Sequence, residues 1–151
     1  MKHIIFLLLL IPFISLAQDN PLYMKPPPGK ARIVILYDMY ERWQRTIVLE
    51  KAPLFVNGKL KCRLNDGTYT YFDIEPGTYE LIADVSGKKI RKKLPVTELE
   101  AEEGRIYYFE MEGVFQGIIK MVVQVQKRRP RELEEIIERK RTRFREVCNE
   151  E

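Results

Sequence analysis

The side chains in this chain that could do chemistry are two cysteines, Cys62 and Cys148, a single histidine, His3, and a large set of carboxylates. Nucleophilic catalysis of the Ser-His-Asp or Cys-His type needs a histidine held by the folded domain. His3 stands in an N-terminal leader, so the mature chain excludes such a set and any histidine-bound metal. The cysteines show no CxxC spacing, which argues against dithiol catalysis and against zinc. Acid–base hydrolysis needs two carboxyl groups at a fixed separation. Asp66, Asp73 and Asp84 instead fall at strand ends or turns, and no calcium-loop spacing appears. No catalytic residue, cofactor or metal is expected.

The cysteines can pair with each other. Cys62 shares the apolar face of a strand with Leu60 and Leu64, and Cys148 ends the apolar stripe of a C-terminal helix, so docking helix on sheet would bring them together. A bridge would close a loop of about 86 residues, stabilising by roughly 4 to 5 kcal/mol on the chain-entropy model. Two separate thiols are the alternative.

Two clusters could bind a partner. Trp43, flanked by Arg42 and Arg45, could stack on a sugar or a protein surface, or simply cap the core. Lys88 to Lys93 holds five basic residues in six, with Lys89, Arg91 and Lys93 on one face. That face could grip an anionic polymer, but lysine guarding a sheet edge is its commoner use, and no nucleic-acid partner is expected.

The elements that position these residues are mostly strands. MKHIIFLLLLIPFISLAQ has the basic, apolar and small-residue order of a signal peptide over 1–17, with cleavage after Ala17. The apolar run is shorter than the roughly 20 residues of a spanning helix and is broken by Pro12. Gln18, Asp19 and Asn20 stand where a lipoprotein would carry its cysteine, so no N-terminal lipid anchor is expected. Residues 18–30, with Pro26, Pro27 and Pro28, read as a proline-rich extended spacer.

Ile33 to Tyr37 is apolar on both faces and should form a central strand. From Leu54 to Asp84 short apolar runs alternate with Asn57-Gly58, Asp66-Gly67 and Pro76-Gly77, the punctuation of an antiparallel meander; the last pair fits a type II turn. Further strands are expected at KKIRKKLPV, at Ile106 to Met111, and around Met121, Val123 and Val125, with a hairpin loop at EGVFQGI. From Pro130 the period becomes helical, with Leu133, Ile136, Ile137, Phe144, Val147 and Cys148 on one stripe, predicting a helix over 130–149.

ARIVILY, PLFVNGK, LNDGTYTYFDIEPGTYEL and LEAEEGRIYYFEM together resemble the family called domain of unknown function 2846, extracytoplasmic bacterial proteins often labelled lipoproteins. The resemblance covers roughly residues 31–126, which read as the sandwich domain. It carries no catalytic residues over.

The expected fold is all-β: an antiparallel β-sandwich, transthyretin-like or immunoglobulin-like, with a C-terminal amphipathic helix. The expected protein is exported, periplasmic or secreted, and non-enzymatic, binding an envelope protein or glycan. The alternatives are a structural subunit assembling through the helix or a sheet edge, and, third, a glycan-processing enzyme.

Overall fold

A computed structural model describes residues 22–38, 51–83, 95–116, 120–140 and 143–144. The expected sandwich is present. One sheet carries five strands in the order β8 (Lys120–Arg128), β7 (Ile106–Gln116), β1 (Ala31–Tyr37), β4 (Thr68–Ile74) and β9 (Arg143–Phe144). The other has four, in the order β3 (Lys59–Leu64), β2 (Ala52–Val56), β5 (Gly77–Ala83) and β6 (Thr97–Ala101). Most pairings are antiparallel, but β1 runs parallel to β7 and β9 parallel to β4.

β1 is central because both of its faces are covered. Ala31, Ile33, Ile35 and Tyr37 point into the core between the sheets, where they meet Leu54, Leu64, Leu81, Phe109 and Met111. Val34 and Leu36 face the opposite way, into a second cluster with Leu22, Tyr69, Tyr108 and Leu133 of the helix α1 (Pro130–Lys140). An element that buries alternate residues in two different layers has no solvated face, which is why its sequence shows no alternation beyond the buried Arg32.

The meander is corrected in its connections. Asn57 and Gly58 adopt φ of +49° and +74° and join β2 to β3 as a tight hairpin turn. The next two turns join strands that do not pair. After Asp66-Gly67 the chain crosses to β4 in the five-stranded sheet, and after Pro76-Gly77 it crosses back to β5. Gly77, with φ of +151°, departs from the value near +80° that a type II turn requires. A register shift between Leu54 and Phe55 pairs Leu54 with Cys62 but Phe55 with Leu60. That bulge turns Leu60 away from the face of Cys62 and Leu64, leaving it 42% exposed.

Two further boundaries differ from the periodic pattern. β7 continues through Gly113 to Gln116, pairing Gly113 with Val123, where EGVFQGI reads as a loop. The helix covers Pro130–Lys140 rather than 130–149, and Arg143 and Phe144 are strand, so Phe144 does not extend the helical stripe. Pairing with β4 offers these residues backbone hydrogen bonds that a local periodicity cannot anticipate.

Residues 22–30 are fastened to the domain. Leu22 is buried in the helix-side cluster, its carbonyl accepting from the Tyr108 hydroxyl at 2.6 Å, while Gly29 donates its amide to Glu103 and Gly104 donates to the Lys30 carbonyl. The Tyr23 hydroxyl, hydrogen-bonded to Glu134 on α1, is pushed up to about 12.

Candidate functional site

Charged residues on the helix-side face of the five-stranded sheet are brought together by strand alternation. Tyr108, Glu110 and Glu112 of β7 lie across from Arg128, Gln126 and Gln124 of β8. Arg128 donates from Nε to Glu110 Oε2 at 2.7 Å and from Nη2 to Glu112 Oε2 at 3.2 Å. Glu112 Oε1 also accepts from the side-chain amides of Gln124 and Gln126. The Glu110 side chain is only 9% exposed. Burial pushes its carboxyl above the ordinary value, and Arg128 opposes that rise.

α1 forms the other wall. Pro130 opens the helix, and Glu132 accepts from the Arg129 amide and guanidinium, which caps the first turn and holds its carboxyl below the ordinary value. Leu133 anchors the helix in the cluster beneath, with Ile136 and Ile137 packed beside it. Glu132, Glu135, Ile136 and Arg139, on one side of the helix, close a cleft of about 360 Å³ over Glu110 and Arg128.

Each carboxylate lining this cleft is held by an arginine: Glu110 by Arg128, Glu132 by Arg129, and Glu135 by Arg131. Such a surface is of mixed charge, with donors and acceptors beside one apolar side chain; of its ion pairs Glu110–Arg128 is the shielded one, while Arg129 and Arg131 are largely exposed.

A second buried charge lies one strand away. Arg32 grips Asp73 with two hydrogen bonds, Nε to Oδ1 at 2.7 Å and Nη2 to Oδ2 at 2.9 Å, and donates to the Met24 carbonyl at 2.9 Å. Its guanidinium stacks 4.2 Å from the centre of the Tyr71 ring. This group ties β1, β4 and the N-terminal segment together.

Of the residues singled out from sequence, Cys62 is buried on the inward face of β3. Arg42, Trp43, Arg45, the basic run 88–93, Cys148 and the cleavage position Ala17 lie outside the described residues. Asp66 and Asp73 are not brought together; Asp73 is the partner of Arg32. The cleft residues Glu110 and Arg128 were missed by motif reasoning. The available signal was a charge within an otherwise apolar strand, Glu110 in IYYFEM and Arg32 in ARIVILY, since such residues are almost never buried without partners.

Among the described residues no group of His, Cys, Asp and Glu could hold a metal ion, and no helix is long and apolar enough to cross a membrane. The profile of a family described as "Protein of unknown function (DUF2846)" matches residues 27–123. The chain belongs to this family. The DUF2846 match thus runs from the docked proline segment through β1 to β7 and into β8, leaving α1 and β9 outside it. No curated protein matches the chain.

Proposed function

We propose that this DUF2846 protein is an exported, non-enzymatic binding module of the cell envelope that docks a protein or glycan partner. The observation that carries this reading is the cleft between α1 and the β7–β8 hairpin, where carboxylates and arginines hold one another in place around Ile136. Carboxylates engaged in this way suit recognition of hydroxyl, amide and charged groups better than proton transfer. Export rests on the leader 1–17 and makes the compartment periplasmic or extracellular.

Binding is tested with glycan arrays and with cross-linking in envelope extracts, comparing wild type with Glu135→Arg and Arg139→Glu. Retention of a partner by wild type and its loss in both variants is the expected result. Turnover of a cell-wall or polysaccharide substrate by the purified protein, abolished by a carboxylate substitution, would refute the non-enzymatic reading. Intact mass of the protein recovered from cells tests export: a chain beginning at Gln18 is expected, and one retaining residues 1–17 sinks it.

A structural subunit assembling through a sheet edge is the alternative, and one observation favours it. The edges of the four-stranded sheet carry opposite charge, Lys59, Lys61 and Arg63 on β3 against Glu98 and Glu100 on β6. Opposite edges of two copies would attract while like edges repel.

A further inference from the structure

We infer that the partner docked in the cleft is a basic protein segment, which sets a cationic side chain against Glu110 and runs on along the helix-side face of β8. This deepens the proposed binding function and rests on it. Glu110 is 7% exposed and lines the cleft, yet it commits only Oε2 to Arg128, and its other oxygen accepts from no described residue. A carboxylate buried to this degree with an oxygen to spare is set up to take a donor from outside.

The neighbouring strand extends the row of acceptors. Glu112 Oε1 accepts from the side-chain amides of both Gln124 and Gln126, and Glu112 Oε2 accepts from Arg128. An ionised carboxylate can only accept, so each glutamine turns its NH2 group toward Glu112 and its carbonyl oxygen away. Both glutamines are half-buried, and neither carbonyl oxygen accepts a hydrogen bond from a described residue. Gln126 stands directly across from Glu110, and Gln124 lies two positions further along β8 on the same face. Groups so placed repeat at about 7 Å, which is also the repeat at which an extended peptide presents the side chains of one face. The matching group on the partner is one built only of donors, a lysine ammonium or an arginine guanidinium.

The charge around the cleft agrees. Glu110, Glu132 and Glu135 line it and Glu112 borders it, outnumbering Arg128 and Arg139. Arg129 and Arg131 pair with Glu132 and Glu135 from exposed positions, where water and salt screen them. Asp38 adds its negative potential to that of Glu112 at Glu110. Ile136 offers an apolar surface to the aliphatic stem of the incoming cation. Among the described residues no aromatic side chain lines the cleft, so a sugar ring finds no flat apolar face there and a peptide is the better fit. Arg139, exposed on the helix wall, is placed to donate to backbone carbonyls of the same segment.

The test uses the full protein and short, capped, fluorescein-labelled peptides that are uncharged except for a central lysine or arginine, with N-acetyl-lysine and citrulline versions as neutral counterparts. Fluorescence anisotropy should show a charged peptide binding at least about tenfold more tightly than its neutral counterpart, a preference that shrinks to within about twofold in Glu110→Gln and in Gln126→Met. The side-chain amide resonances of Gln124 and Gln126 should shift with the charged peptide alone. Glu110→Gln keeps the shape of the side chain, and Gln126→Met removes a carbonyl without touching a charge, so a folding defect in one variant leaves the other to decide. Equal binding of charged and neutral peptides would overturn the inference. So would an oligosaccharide, neutral or amino-sugar, that outcompetes the peptides and is lost in Glu135→Arg, although the binding-module reading would then stand. Failure of peptides, oligosaccharides and envelope extract alike to give any ligand that Glu135→Arg loses would remove that reading together with the inference.

Discussion

Replacing Asp73 by alanine should strand a buried guanidinium. The Arg32 side chain is 5% exposed and that of Asp73 23% exposed, and both oxygens of Asp73 accept from Arg32. Breaking a fully buried pair by removing one member costs about 3–5 kcal/mol, because the remaining charge keeps its desolvation without its partner. Here the carboxylate is partly hydrated, and Arg32 keeps the Met24 carbonyl and the Tyr71 ring. The expected loss is therefore lower, about 2–3 kcal/mol, which is on the order of a hundredfold in the ratio of folded to unfolded protein. Urea denaturation would show it as a lower midpoint at unchanged slope. The decisive comparison is Arg32→Met/Asp73→Ala, which removes the charge as well as its partner and should recover at least about 1 kcal/mol relative to Asp73→Ala. A double variant no more stable than the single one would show that the loss comes from packing or local backbone effects. A single-variant loss below about 0.5 kcal/mol would show that water reaches the guanidinium freely.

Glu110 supplies a pH test. Its folded-state carboxyl is raised by burial, so the folded protein binds more protons than the unfolded chain between the unfolded value, near 4.3, and the raised one. The group's contribution is present at low pH and is lost as pH rises through that window; Glu110→Gln should flatten this fall, and identical pH profiles of urea stability would refute it. Leu133 is fully buried beneath α1, so Leu133→Ala should cost about 2–4 kcal/mol and speed amide exchange in the helix ahead of the strands. A cost under about 1 kcal/mol would mean that the helix is only loosely seated.

Much of the fold was decided locally. Asn57-Gly58 tolerates positive φ at two successive residues and so dictates a hairpin turn wherever the chain goes next. The doubly apolar run of β1 can satisfy itself only between two layers, and the start of α1 follows from Pro130 and the side chain of Glu132. Each of these depends on a residue and its near neighbours.

Other features depend on partners distant in sequence. Asp66-Gly67 and Pro76-Gly77 mark turns correctly, but a turn does not encode whether the next strand pairs with its predecessor or crosses to the opposite sheet. That choice is set by which faces bury the most apolar surface once both sheets exist. Phe144 fits a helical stripe as well as a strand, and the free edge of β4 decides between them. The cleft could not be read from spacing for the same reason: Glu110 and Arg128 are 18 residues apart and meet through the register of a long hairpin, and α1 then covers them. Periodicity fixes the face on which a charge lies. Only the packed structure fixes which charge stands opposite, and thus whether a buried carboxylate is an acid, an anchor or part of a binding surface.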